Sequence, residues 1–433
     1  MRAMNREIWR LTWPNVVSNI TVPILGMADT AIAGYVGGDV QIGAVSIGTA
    51  IFNFIYMNCS FLRMGTTGLT AQAYGGRRER EAKLIMMRAV IVGLAISAIL
   101  MMLKELIVSY GVDIMGGTEA VREIVREYVS VRIYAIPASV TLFAFNGWFI
   151  GMQDARTPMT LSIISNIINI SASALFAIEM GMGIRGIALG TVVAQYSSLV
   201  MAASIYLLKY RPSIKEEIRG AIETKEVVRF FSINRDLMLR GFCIVTTYTM
   251  FTRLSADIGE TELATNALLM QLFTLYSYMF DGVAYAAESL AGRFIGEGDK
   301  EKFRESCKKL AMWAIGISVA FVGAYAICGE SILKIFSPSE DVMACASQNI
   351  GYILVVPLVG CIPYIIDGIM FGATKAAPLR NTMFVSTVLF LVMSYGLIPL
   401  IGNDGLWIAF IAFTAMRGIL LARPMKKLYD SGE

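Results

Sequence analysis

The chain has 433 residues, of which 56% are hydrophobic and only 16% charged, with a mean hydropathy of +0.62. A soluble domain carries roughly a quarter charged residues, and here the charges bunch between long apolar runs, which excludes a soluble enzyme and points to a polytopic membrane protein. The formal net charge of +4 lies mostly in the loops and implies no nucleic-acid partner, while the lack of any histidine leaves proton chemistry to carboxylates.

The opening MRAMNREIWR runs straight into an apolar stretch, without the short apolar core and small-residue cleavage site of a signal peptide, so none is expected to be removed. A spanning helix needs about 20 mostly apolar residues. That length predicts twelve helices, at 8–36, 43–73, 84–109, 121–150, 159–180, 184–209, 226–256, 263–292, 307–329, 341–371, 380–401 and 404–424. The fold class is therefore all-α, with an N-terminal lobe (1–208) and a C-terminal lobe (228–433) of six helices each. The charged link KYRPSIKEEIRGAIETKEV (209–227) is expected to lie as a surface helix.

Basic residues cluster in alternate loops. Arg2, Arg6 and Arg10 open helix one, Arg77, Arg78, Arg80 and Lys83 follow helix two, and Lys209, Arg211, Lys215 and Arg219 occupy the link. Lys300, Lys302, Arg304, Lys308 and Lys309 follow helix eight, whereas the loop with Asp257, Glu260 and Glu262 is acidic. Basic loops stay cytoplasmic, so both termini and the link are expected inside.

Within helix one, Asp29 stands deep in TVPILGMADTAIAGYVG. A carboxylate at that depth is expensive and marks an ion or proton site, unless it lies near the helix end and reaches water. Pro23, six residues earlier, should loosen the helix. Helix five carries a stripe of Ser162, Asn166, Asn169 and Ser173, and helix six one of Thr191, Gln195 and Ser198. Such neutral oxygens suit a small hard cation or a protonated Asp29, or else tie helices together in lipid.

The two halves also read as a duplication. Pro137, Gly147, Gly151 and Pro158 answer Pro357, Gly368, Gly372 and Pro378 at a shift of about 220, and AQAYGGR (71–77) answers AESLAGR (287–293) at about 216. On these shifts Gln72 becomes Glu288, Asn146 becomes Asp367, and the counterpart of Asp29 falls near Val245. One half is thus expected to serve the coupling ion, and Glu288 and Asp367 to recognise a cationic substrate, unless Arg63 or Arg240 pairs with these acids. Parallel membrane repeats around a midplane site are the plan of many secondary transporters. The six cysteines show no metal spacing, and no GxxxxGK[ST], GxSxG or HExxH motif is present.

Four segments carry a family likeness: WPNVVSNITVPILGMADTAIAGYVG, GMQDARTPM, SNIINISASALF with GIRGIALGTVVAQ, and DGVAYAAESLAGRFIGEGD. With them the chain resembles the multidrug and toxic compound extrusion (MATE) family, in its DinF-like branch. The resemblance implies two six-helix lobes in a V, exporting amphipathic organic cations in exchange for H⁺ or Na⁺ without a cofactor, as a monomer in a prokaryotic plasma membrane. It places the ion site in the N-lobe, where the family's helix-one acid matches Asp29, its helix-five Asn matches Asn169 and its helix-six Thr matches Thr191. The second acid of some members is Ser173 here, which weighs against strong Na⁺ binding. Asn166, Gln195, Asn146, Glu288 and Asp367 are the substrate-cavity candidates. Membrane lipids are the other partner. A flippase of lipid-linked precursors would favour a more basic cavity, and an intramembrane enzyme would need paired acids for metal–diphosphate chemistry.

Overall fold

In a computed structural model of the chain, residues 2–115, 119–221, 224–335 and 339–432 are described, and every regular element among them is a helix. In the first half these are α1 (Ala3–Gly38), α2 (Val40–Gly75), α3 (Glu79–Met102), α4 (Lys104–Met115), α5 (Val121–Gly151), α6 (Arg156–Glu179) and α7 (Ile184–Tyr210). A short α8 (Ile214–Ala221) occupies the link. The second half holds α9 (Thr224–Ile258), α10 (Glu260–Glu297), α11 (Lys300–Ile335), α12 (Glu340–Gly372), α13 (Ala376–Ile401) and α14 (Asn403–Ser431).

Among the described residues, ten of these helices are long and apolar enough to cross a membrane. α9 and α10, of 35 and 38 residues, have the length but more polar side chains, and with them the twelve expected crossings are present. Several helices outrun their apolar cores. α11 begins at Lys300 rather than near 307, because its charged first turns KEKFRES are helical beyond the hydrocarbon. α1 and α2 meet at a sharp break where Gly38 takes φ 67° and ψ −149°, a conformation open to glycine alone.

The chain divides into two compact units. The C-terminal unit comprises Met1–Val16, Ala71–Arg77 and Ser232–Glu433, and the N-terminal unit Val17–Thr70 and Arg78–Phe231. In the N-terminal unit α8 is docked rather than free. The buried Arg88 of α3 donates from Nε to the carbonyl of Ala221 (3.0 Å) and from Nη2 to that of Gly220 (3.4 Å), and Tyr206 donates to Glu217 at 3.3 Å. A guanidinium thus neutralises the orphan carbonyls at the C-terminal end of α8. Residues 222 and 223 of the link lie outside the described residues.

The duplication is written into the backbone. Left-handed φ angles recur at Arg77 and Gly298, at Gln153 and Thr374, and at Arg211 and Gly432, each pair 221 residues apart. Close helix crossings recur at the same spacing. A side chain at Gly147 would strike the Arg63 carbonyl, as one at Gly368 would strike that of Ala284, and Gly151 on Thr67 is matched by Gly372 on Glu288. Inside the C-terminal unit, Gly75 rests on Arg293 and Gly296 on Gln72, a reciprocal pair. This register corrects the reading at the end of α2. Glu288 corresponds to Thr67, Gln72 to Arg293 and Asp29 to Met250, while Asn146 still corresponds to Asp367.

The segment GMQDARTPM turns out to be a helix start. Asp154 accepts from the Thr157 N–H (3.1 Å) and hydroxyl (2.9 Å) and from the Lys209 ammonium (2.8 Å). Partial burial works to raise its carboxyl, but those bonds prevail and hold it below the ordinary aspartate value.

Candidate functional site

In the N-terminal unit, α1 is pinned to α6 just before Pro23. Thr21 and Ser162 share a hydroxyl–hydroxyl bond of 3.1 Å, and Asn166 Nδ2 donates to the Thr21 carbonyl at 3.3 Å. As the first and fifth crossings, these helices run in the same direction. Eight residues beyond the pin, about 12 Å along the axis, α1 reaches Asp29 and α6 reaches the turn between Asn169 and Ser173. The register thus sets the carboxylate level with the polar stripe.

That stripe closes into one network. Asn169 Nδ2 donates to Thr191 Oγ1 (3.2 Å), Ser173 Oγ to Asn169 Oδ1 (3.1 Å), and both Ser173 and Thr191 approach the carbonyl of Ile187 at 3.3 Å. The three side chains are buried, and Gly190 lets α7 ride directly on Ser173. Lone pairs outnumber polar hydrogens here. Ser173 has one hydrogen for two oxygens, so the Asn169, Ser173, Thr191 and Ile187 oxygens converge with lone pairs to spare. Such a set suits a hard monovalent cation or a donor such as a protonated carboxyl. It contains no carboxylate of its own.

Asp29 is buried, 6% exposed, and its Oδ1 has no hydrogen-bond partner among the described residues. The charge that acts on it through space is Arg132 of α5. Arg132 is held by Thr49 (2.9 Å) and Tyr128 (2.6 Å) and lies over the Phe52 ring at 4.8 Å. Its Nε is likewise without a partner, and among the described residues no salt bridge joins the two. A buried acid and a half-buried base within electrostatic range, neither closed by the other, can take up or release a proton or ion with little rearrangement.

The other candidates do not converge on this point. Asn166 serves the pin, while Gln195 and Asn146 are half-buried on α7 and α5. Glu288 is buried at the Gly372 crossing of the C-terminal unit. Asp367 is held by two guanidiniums, Arg240 at 2.6 Å and Arg417 at 2.5 Å. Sequence reasoning missed Arg132 and Arg417. Arg132 is the last basic residue of EAVREIVREYVSVR before a long apolar run, and that position was the available signal.

The comparisons agree with one another. A sequence profile of the MatE family matches residues 14–175 and 237–396, one stretch in each half. The chain is 33% identical to the Escherichia coli DNA damage-inducible protein F over 438 aligned positions, covering 100% of this chain and 94% of that protein. It is 21% identical to human multidrug and toxin extrusion protein 1, over 96% of this chain and 73% of the relative. In three dimensions it superposes on a Vibrio cholerae MATE transporter in the bent form with a TM-score of 0.88 at 16% identity, covering 99% of this chain and 98% of the other. A MATE structure in the straight conformation gives 0.86 at 18%, covering 99% and 96%.

Proposed function

Because this chain belongs to the multidrug and toxic compound extrusion family of transporters, we propose that it exports amphipathic organic cations in exchange for protons, with Asp29 as the coupling carboxylate. The observation that carries this reading is Asp29 itself, a buried acid with an open oxygen, level with an acceptor-rich network. Protonation removes its charge and gives it a hydrogen to offer the spare lone pairs of that network. Ion and drug then favour different states of one unit, which is what exchange requires. Lobes 1–208 and 228–433, joined by the docked link, would be the parts that alternate. Na⁺ is the second reading, favoured by the converging oxygens and disfavoured by Ser173 where a second acid would strengthen the site.

Ion replacement in proteoliposomes tests the coupling. An imposed pH gradient should drive uptake of a cationic dye and a Na⁺ gradient at equal pH should not, while the reverse result makes Na⁺ the coupling ion.

The same reading sets both termini and the link on the cytoplasmic side of a prokaryotic plasma membrane. A cysteine at Ser213, in a background stripped of native cysteines, should react with an impermeant maleimide in inverted vesicles and stay unlabelled in intact cells. Labelling from outside would reverse the topology.

A further inference from the structure

We propose that a groove on the C-terminal unit, between the first turns of α1 and the start of α11, is a binding site for an anionic phospholipid of the cytoplasmic leaflet. Its place in that leaflet rests on the topology proposed above, whereas the choice of lipid rests on the groove alone.

Both walls belong to the C-terminal unit. The groove encloses about 410 Å³ and is lined by Asn5 of α1 and by Lys309, Trp313, Gly316, Ile317 and Ala320 of α11, a volume within the range of small-molecule sites. The α11 residues recur at helical spacing, so they share one face. From Lys309 to Ala320 the helix rises about 16 Å, roughly the hydrocarbon depth of one leaflet. Lys309 closes the charged run that precedes the apolar core of α11, which sets it at head-group level. Deeper in, the floor is bare. A carbon added at Gly316 would meet nothing within 4 Å, and Met312, Ile315 and Val319 beside it are exposed.

Tryptophans form the wall nearest the head group. Trp9 stacks on Trp13 at 5.7 Å and leans on Trp313 at 5.8 Å, and the Trp313 indole donates to Asn5 Oδ1 at 3.4 Å. Trp9 and Trp13 are half exposed, and neither indole N–H has an acceptor among the described residues. An aromatic belt accounts for single indoles at this depth, but not for three of the chain's five gathered beside one groove. Charge sets the occupant. Arg6, Arg10, Lys308 and Lys309 outnumber the acids of the same turns, Glu7 and Glu305, and Glu7 already accepts from Arg293 at 3.3 Å. None of those cations has an ion pair among the described residues. A lipid phosphate supplies the missing counter-charge, as in other basic pockets between helices at the cytoplasmic surface. The free indoles then face the ester region, and the bare channel takes an acyl chain. A lipid so placed bridges α11 and α1, the helix that carries Asp29.

The test is quenching of tryptophan fluorescence by brominated acyl chains, in vesicles of phosphatidylcholine with a minor fraction of phosphatidylglycerol. Lipid composition is fixed, and bromine is carried either by the phosphatidylglycerol or by an equal amount of the phosphatidylcholine. Trp148 and Trp407 are fully buried, so the signal reports on Trp9, Trp13 and Trp313. Brominated phosphatidylglycerol should quench the wild type more strongly. Lys309→Gln should lower its relative affinity about fivefold, the scale of one basic side chain beside an anionic lipid. Gly316→Leu fills the channel from a position with open space around the new Cβ, and should make the two lipids quench alike. Lys426→Gln, at an exposed lysine of α14, should leave the preference unchanged. Equal quenching in the wild type, a preference that survives Lys309→Gln or Gly316→Leu, or one lost as fully in Lys426→Gln, overturns the site. Both leaflets of these vesicles are alike, so a reversed topology would not alter the result, and the Ser213 labelling above tells the two failures apart.

Discussion

Asp29→Asn should abolish proton-driven export while leaving the protein inserted and folded. The amide is nearly isosteric with a protonated carboxyl and carries no charge, so it fixes α1 in its loaded form. The amide fills the same buried space as the carboxyl, which preserves packing. What it cannot do is release a proton, and without release the cycle has no return step. Uptake driven by an imposed pH gradient should fall by more than about tenfold, a loss above roughly 1.4 kcal/mol of coupling. The measurement is dye uptake by purified variant in liposomes, with thermal stability in detergent as the folding control. Wild-type rates would remove Asp29 from the mechanism.

A large effect on stability is expected at Gly147. Its α-carbon sits so close to α2 that an added methyl would strike the Arg63 carbonyl and come to 3.1 Å from the Arg63 α-carbon. Backbone cannot swing aside as a side chain can, so Gly147→Ala must push two helices apart. In lipid these helices are held by close packing rather than by exclusion from water, which makes such contacts decisive. A cost of about 3 kcal/mol, the upper end for overpacking, is expected. Gly368→Ala, whose new methyl would come to 2.6 Å from the Ala284 carbonyl oxygen, should behave alike in the C-terminal unit. Gly43→Ala is the control. Nothing lies within 4 Å of its added carbon, and better helix propensity should raise stability by up to about 1 kcal/mol. Unfolding midpoints of the three variants would decide it. Equal midpoints would mean that the crossings are looser than they look.

Much of this architecture is legible in the sequence because the bilayer is a severe solvent. It demands long apolar runs and confines charge to loops, so the twelve crossings, the charged link and Asp29 stand out. The stripes on α6 and α7 are visible too, because helical periodicity lines up Asn169 and Ser173 before any contact is known. Register between the halves is harder. AQAYGGR and AESLAGR share letters and so attract one another, yet the matching Gly75 and Gly296 crossings pair segments with little shared text. What repeats is a close backbone approach, for which only glycine is compulsory. Arg132 was hidden for another reason. Its meaning depends on Thr49, Phe52 and Tyr128, and no local pattern announces that they gather around it. Asp367 was found as an acid, but its two arginines lie 127 and 50 residues away in the chain.

Because Ser173 stands where a second acid would join Asp29 as a proton carrier, one turn of the proposed cycle returns a single proton. The electrical character of export then depends on the cargo. Trading one proton for a monovalent cation moves no net charge, and membrane voltage contributes nothing to it. A cargo of no net charge takes none with it, so the incoming proton carries current, and each 100 mV adds about 2.3 kcal/mol to the driving force. One carrier would thus draw on the pH gradient alone for some compounds and on the full electrochemical gradient for others.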